Sequence, residues 1–285
     1  MLRTSLCRSF SLSSAITSSS RFVASSLMRP SSSNLRAIRL ATRSCASLAT
    51  EARSSSSASQ IAVTTRFHAS LNPAAIYRKP FTEDEYFASK LLADPIRLLD
   101  CVPIVNGGLA YIVTSAETAR RVTDKPVWLL GAGEANNYYH GSRSLPDVTH
   151  TGFVKAAPIA FGQAGVRHAD IQFFEPYDDY PFVPLMTIED WGFCRKGEGS
   201  AFVRERSLRF DGDFPLSTDG GQLSGGQPGG AIGGFMPLVE AVTQLRGEAG
   251  ERQVKGAAIG ASCGFGGIPY GRPGRSCISL IWGRE

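Results

Sequence analysis

The chain has 285 residues, of which 42% are hydrophobic and 19% charged, with a formal net charge of +5; this is enough apolar material for one large packed domain or two modest ones. The charge does not argue for nucleic-acid binding, because it is concentrated in the first fifty residues rather than spread over a folded surface. No window reaches the roughly 18 to 20 uninterrupted apolar residues that a helical bilayer crossing needs, and the six cysteines contain no C-x-x-C pair, so neither a zinc ribbon nor a disulfide framework is indicated.

Met1 to Thr50 contains no acidic residue and no lysine, whereas Arg3, Arg8, Arg21, Arg29, Arg36, Arg39 and Arg43 stand among many serines. Such a segment cannot bury enough apolar surface to offset its chain entropy, but it can form a transient basic amphipathic helix of the kind an organellar import receptor reads. A mitochondrial targeting segment over residues 1–60 is therefore expected, and its removal would take most of the positive charge with it. The last residues, Gly283-Arg284-Glu285, are not a peroxisomal S-K-L address.

Order is expected from about Ile61, with turns at Asn72-Pro73 and Arg78-Lys79-Pro80. Phe81 to Leu92 reads as a helix: Thr82 can cap it, Glu83 to Glu85 suit the positive end of its dipole, and Phe87, Leu91 and Leu92 share a face. Ala110 to Thr114 is β-branched and apolar, as a buried strand would be, and Thr114 with Glu117 suggests a capping box for a helix over Ser115 to Val122. Val127 to Leu130 reads as a strand ending at Gly131-Ala132-Gly133, and Thr149 to Gly165 as a helix interrupted by Pro158. A strand is expected over Ile171 to Phe174, helices over Phe182 to Trp191 and Met236 to Leu245, and closing strands over Gly256 to Ser262 and Cys277 to Trp282. This alternation predicts an α/β domain in which helices cover a mixed sheet.

The densest glycine run lies between Thr218 and Gly234 and precedes a helix. Glycines allow positive φ and let backbone N–H groups approach a ligand closely. The run contains neither G-x-G-x-x-G after a strand nor G-x-x-x-x-G-K-[ST], so nucleotide binding is not indicated; a glycine-rich turn of purely structural use stays open. His68, His140, His150 and His168 have no second ligand at metal spacing and read as surface or loop histidines.

Asp219-Gly220-Gly221-Gln222-Leu223-Ser224-Gly225-Gly226-Gln227-Pro228 resembles the thiolase segment N-x-G-G-x-x-x-x-G-H-P. The helix that follows, Val239 onward, resembles that of the lipid-transfer, or sterol-carrier-protein-type, thiolases. Three further segments fit the same family in order: Asp100-Cys101 with Asn106-Gly107-Gly108-Leu109-Ala110 is similar to its D-G-A-A strand, Tyr177-Asp178-Asp179-Tyr180 to Y-D-A-F, and Glu189-Asp190-Trp191-Gly192-Phe193-Cys194-Arg195-Lys196-Gly197-Glu198-Gly199 to E-D-L-G-F-C-x-K-G-E-G. The resemblance implies a thiolase-like layered α/β fold, a mixed sheet covered by helices, with only the C-terminal half complete: a remnant of the loop region and of the N-terminal half over residues 61–124, and the C-terminal domain over 125–285.

The family's chemistry uses an acyl-accepting cysteine, a histidine that activates it, and a second cysteine that moves a proton at the substrate α-carbon. The first belongs to the N-terminal half, and the G-H-P histidine is Gln227 here. A glutamine can donate to a thioester oxygen but cannot raise the thiolate fraction of a nucleophile. The resemblance nominates Cys263, Tyr177, Gln227 and Asp178 as catalytic candidates, with Cys263 read alternatively as a buried structural thiol. Gly220, Gly221, Gly225, Gly226, Gly229 and Tyr270 would line the substrate. Phe265 stands where aldolase-like relatives carry a tyrosine.

The expected function is handling of acyl-CoA thioesters, as an acyltransferase or carbon–carbon lyase family member with little classical thiolase activity alone. Coenzyme A enters only as the thioester substrate, with no bound cofactor and no metal. A homo- or hetero-oligomer is expected, with a small OB-fold protein as one partner suggested by the family, and with neither nucleic acid nor a membrane span involved. Two other readings stay open: a non-catalytic thiolase-fold subunit that binds a partner, and an incomplete reading of a longer thiolase-like enzyme.

Overall fold

The structure, a computed structural model, describes residues 57–136, 149–228, 230–266 and 276–284. Its first element is helix α1 (Ser57–Leu71), which begins three residues before the sequence boundary at 60 and which the sequence reading does not assign. The reason is visible in its burial: Ser57, Ser59, Thr65, Arg66 and His68 are buried alongside Ile61, Ala62 and Ala69. A helix that buries polar side chains carries no continuous apolar stripe for periodicity to detect.

Helix α2 (Glu83–Ala88) is shorter than the expected Phe81 to Leu92. Its start is as read, because the Thr82 hydroxyl accepts from Glu85 N and the Glu85 carboxylate accepts from Thr82 N, which closes the capping box. Its end differs: Leu91–Ala93 leaves the helix as strand β1 and pairs antiparallel with β2 (Ile96–Arg97). Strand β3 (Ile104–Val105) follows. The strand expected at Ala110 to Thr114 is not formed; the segment has no regular structure, and Ile112 and Val113 are 72% and 83% exposed. A strand needs a partner for its backbone groups, and none of the described strands lies beside it. Helix α3 (Ala116–Val122) is capped by Ser115, whose hydroxyl accepts from Thr118 N, rather than by Thr114, and buries none of its residues.

The main sheet has four strands in the order β4 (Trp128–Asn136), β8 (Ser276–Gly283), β7 (Ile259–Gly266), β5 (Phe174–Glu175). β8 runs antiparallel to both β4 and β7, and β5 runs parallel to β7, so the sheet is mixed as expected. β4 continues through Gly131 and Gly133 instead of stopping at them. Those glycines serve contact rather than turning: a Cβ at Gly131 or Gly133 would overlap Ala160 O or Ala156 O of helix α4 (Phe153–Ala164). The backbone of α4 therefore rests directly on the strand, and Gly165 at φ 66° ends the helix in the left-handed conformation.

One face of the sheet packs α4 and helix α5 (Phe182–Asp190) over a core that includes Phe153, Phe174, Ile188, Trp191, Ala261, Cys263 and Ile281. Helix α6 (Gly199–Glu205), unassigned by the sequence reading, adds Val203 to this core and packs against α1. Across the sheet, helix α7 (Met236–Leu245), with the bounds read from sequence, buries Ala241 and Leu245 against Phe173 and Val254. Burial of an aromatic or large aliphatic side chain of this kind stabilises by about 1.5 to 3 kcal/mol.

Candidate functional site

β5 ends at Glu175, and the chain leaving it carries Pro176, Tyr177, Asp178 and Asp179 in sequence. The glycine-rich segment folds over this corner. Ser217, buried and held at φ 47°, and Gly220 at φ 98° turn the chain back; Gly221 to Gly225 then form one π-helical turn, and Gly226 at φ 110° releases the chain into β6 (Gln227–Pro228), which pairs parallel with β3. π-turns frequently mark functional sites, because the widened turn displaces one residue toward a ligand.

Two of these glycines are obligatory. At Gly221 a Cβ would overlap the Asp178 carboxylate, and at Gly220 it would lie 2.5 Å from Ala69 Cβ on α1. The loop is thus pressed between α1 and the corner after β5. α1 also ties it down by polar contacts: Arg66 Nε donates to Ser224 Oγ at 2.7 Å, and just past its end Asn72 Nδ2 donates to Asp219 O at 2.8 Å. The Arg66 guanidinium lies 4.9 Å from the ring centroids of both Tyr77 and Phe81, so its charge is held by aromatic faces and burial lowers its pKa.

One of the histidines read as surface or loop residues is placed otherwise. His68 is fully buried; its Nδ1 donates to Ser217 O at 3.1 Å while its Nε2 accepts from Phe210 N at 2.9 Å. The Phe210 N–H can only donate, so His68 is neutral with the proton on Nδ1, and burial brings its pKa down to about 4. His168 Nε2 lies 2.8 Å from Trp191 O, and its ring packs on Phe161 with centroids 4.2 Å apart. His168 is itself exposed, in a short turn, as read from the sequence.

The structure brings Tyr177, Asp178 and Gln227 together. Gln227 Nε2 donates to Tyr177 Oη at 3.0 Å. Burial pushes the Tyr177 hydroxyl up to about 12, Asp179 and Asp178 push in the same direction, and the Gln227 amide opposes them. Asp178 is fully buried; its Oδ1 accepts from Gln222 N at 2.7 Å, and its Oδ2 has no hydrogen-bond partner among the described residues. Burial raises its carboxyl well above the usual range, and the same cause raises Asp179 to about 6. The Tyr177 hydroxyl is therefore protonated at neutral pH and can donate a hydrogen bond or a proton, and burial shifts Asp178 toward its protonated form.

Cys263 lies beside this corner, against the Tyr177 backbone and within reach of the Asp178 charge. It is buried within β7 in the main core, and desolvation raises its thiol far above the ordinary value, so its thiolate is strongly disfavoured. Gly225 and Gly226 lie in the loop as expected, with Gly226 against Val105 of β3. Gly229 and Tyr270 fall outside the described residues. Phe265 packs edge-on against Tyr177 at 5.8 Å between centroids, on the corner where the family resemblance sets it against a tyrosine.

Sequence reasoning missed Gln222, which is fully buried with its side-chain amide beside the Tyr177 hydroxyl; a Cβ on Gly233 would overlap its Oε1 and lie 3.6 Å from Tyr177 Cε2. A glutamine inside a glycine run carries no signal that separates a solvated loop amide from a buried one. Among the described residues, no group of three or more His, Cys, Asp or Glu side chains is placed to hold a metal ion.

Residues 133–271 match the family model described as thiolase C-terminal domain-like. An acetyl-CoA acetyltransferase of Methanothermobacter thermautotrophicus is 38% identical over 209 residues, 73% of this chain and 54% of the relative. A 17-hydroxy-3-oxo-4-pregnene-20-carboxyl-CoA lyase of Mycobacterium tuberculosis is 34% identical over 194 residues, 66% of this chain and 49% of the relative. The solved Ltp2-ChsH2(DUF35) aldolase superposes with a TM-score of 0.73 at 27% identity, covering 88% of this chain and 63% of that one. The chain spans about half the length of the curated relatives it matches.

Proposed function

Since the chain belongs to the thiolase superfamily and carries the C-terminal half of that fold, we propose that it handles acyl-CoA thioesters and that its site is suited to carbon–carbon bond cleavage rather than to thiolysis. The observation that carries this reading is the Gln227 amide at 3.0 Å from Tyr177 Oη. An amide donor can hold a thioester oxygen as negative charge develops there, but it has no titration with which to activate a thiol. In a lyase step the Cα–Cβ bond of a β-hydroxyacyl thioester breaks, the β-hydroxyl gives its proton to a solvent water as the carbonyl product forms, and the electron pair moves onto the thioester enolate. The enolate then takes a proton at Cα. Tyr177, protonated at neutral pH, is the donor at hand, and Gln227 is half-buried, so a thioester can reach it.

The test offers the purified chain acetoacetyl-CoA with free coenzyme A, and separately β-hydroxyacyl-CoA substrates, while release of the carbonyl product is followed. The expected result is carbonyl release that falls at least tenfold in Gln227→Ala, with no thiolysis. Thiolysis at a rate comparable with a full-length thiolase overturns the reading.

A second reading is favoured by a specific observation. Most of the large apolar side chains left exposed among the described residues fall between Ile76 and Val122, including Ile104, Ile112 and Val113. A surface of that composition is ordinarily covered. The chain on this reading is a subunit of a hetero-oligomer, with a small OB-fold protein as one candidate partner; the aldolase that superposes on this chain carries a DUF35 component in its own name. A monodisperse monomer that binds no apolar-surface dye would remove the need for a partner. The proposed location is the mitochondrion, on the composition of the first fifty residues; a fluorescent fusion to residues 1–60 that stays cytosolic would refute it.

A further inference from the structure

Beneath the site lies a buried polar cluster that the proposed chemistry does not use. Thr218, the first residue of the glycine run, sits between two glutamates from different elements. Its Oγ1 is 2.6 Å from Glu175 Oε1 at the end of β5 and 2.7 Å from Glu240 Oε1 on α7. All three residues are at most 3% exposed.

Counting hydrogens fixes the protonation. A threonine hydroxyl has one proton to donate and two lone pairs with which to accept. Gln244 Nε2 also lies 2.9 Å from this oxygen, its two hydrogens shared among Thr218 Oγ1, Glu240 Oε1 and Arg252 O. The orientation of that amide is set by Val254 N, which can only donate and lies 2.9 Å from Gln244 Oε1. Thr218 can therefore donate to one glutamate only, and the other must donate to Thr218. Glu240 Oε1 also receives the Arg252 guanidinium and Gln244 Nε2 at 2.9 Å; burial raises the Glu240 carboxyl to about 7, but with Arg252 opposing that rise it is the carboxyl of the two that has a cation to hold its negative charge. Among the described residues Glu175 has no cation beside it, and its two oxygens meet Thr218, whose N–H lies 3.2 and 3.0 Å from Oε1 and Oε2.

We propose that Glu175 is a neutral carboxylic acid at physiological pH, and that by donating its proton to Thr218 it acts as the positioning residue that ties the corner bearing Tyr177 to the loop bearing Gln222 and Gln227. The latch stands whatever ligand the site takes, because it is built from chain to chain. The groups that face it are Glu240 from α7, Asp219 from the loop and Arg252 from the turn after α7. Burial, with Glu240 and Asp219 adding to it, raises the Glu175 carboxyl well above its ordinary value, while the Thr218 contacts oppose. A carboxyl whose folded pKa is raised contributes stability that is complete below its unfolded pKa and is lost as pH rises through the folded one. Alkali should therefore unlatch the corner.

The experiment compares the full chain with Glu175→Gln and Glu175→Ala. Glutamine copies the neutral acid, with its amide donating to Thr218 Oγ1 and its oxygen accepting from Thr218 N. At about pH 7, the infrared difference spectrum between the full chain and Glu175→Gln should show the carbonyl stretch of a protonated carboxylic acid in the unmodified chain. Thermal midpoints should match in these two proteins near neutrality, and the unmodified chain should lose more on going toward about pH 9. Glu175→Ala should unfold at least 5 °C lower or fail to fold. Loss of carboxylate bands alone on Glu175→Gln, with no acid carbonyl, overturns the proposal, as does a Glu175→Gln midpoint as low as that of Glu175→Ala.

Discussion

Gln227 and Tyr177 lie fifty residues apart in sequence, and Gln227 Nε2 donates to Tyr177 Oη at 3.0 Å. The bond joins the exit of the glycine loop to the corner after β5, and so closes the site across the two segments that build it. It also favours the ionised phenol, against the burial and the Asp179 and Asp178 charges that suppress it. Gln227→Ala should raise the Tyr177 pKa further above about 12 and lower stability by about 1 kcal/mol. Ultraviolet titration of tyrosinate, with Tyr177→Phe as reference, checks the first; denaturant unfolding checks the second. A Tyr177 titration that does not move would show that the amide does not act on the hydroxyl.

Gly221→Ala should be among the most damaging single changes in the loop. The residue is held at φ 54°, and its Cβ would meet the buried Asp178 carboxylate. The backbone conformation and the overlap together should lower stability by roughly 2 to 4 kcal/mol, read as a lower urea midpoint with an unchanged slope. Gly247→Ala, also at positive φ but with nothing near the added Cβ, is the control and should lose only about 1 kcal/mol.

His68 sets an acid limit on stability. Its pKa falls from 6.5 in the unfolded chain to about 4 in the fold, so the neutral ring contributes fully above the unfolded value, and the contribution declines as pH falls toward the folded one. The shift corresponds to roughly 3 kcal/mol lost across that window. His68→Phe should flatten this part of the pH–stability curve while lowering stability at neutral pH by about 1 to 3 kcal/mol, because Ser217 O and Phe210 N lose their partner. Unfolding measured at several pH values between about 4 and 8 decides it.

Asp179 acts in the opposite sense. Burial raises its carboxyl from 3.8 to about 6, so folding favours the protonated form and stability drops as pH rises through about 6. Asp179→Asn should therefore leave acid stability nearly unchanged and raise neutral-pH stability by about 1 to 2 kcal/mol. A variant that is equally destabilised at both pH values would mean that the carboxylate is bound in the fold rather than merely tolerated.

The cysteines should separate by reactivity. Cys263 and Cys277 are buried, whereas Cys101 and Cys194 are partly exposed, and burial pushes the Cys277 thiol up to about 12 and that of Cys263 higher still. Alkylation of the native chain followed by peptide mapping should mark Cys101 far faster than Cys263, by roughly a hundredfold or more, since only exposed thiolate reacts. Rapid modification of Cys263 would restore it as a candidate for acid–base chemistry.

Several features were legible in the sequence because they depend on local physics. The Thr82 cap, the bounds of α7 and the glycine run all follow from side chains acting within a few residues of themselves. The alternation of elements added the mixed sheet, and the ordered motifs added the family. What the sequence could not decide depends on which segments meet. α1 hides from periodicity because its buried face includes Ser57, Arg66 and His68, whose partners lie about 140 to 160 residues onward. Gly131 and Gly133 look like a strand end until α4 is laid on them, and Ala110 to Thr114 looks like a strand although no described strand lies beside it. The protonation of Glu175 is the clearest case. A glutamate in sequence is an anion by default, and only tertiary structure, by placing one hydroxyl between two carboxyls and giving the Arg252 guanidinium to Glu240, determines which of them keeps its proton.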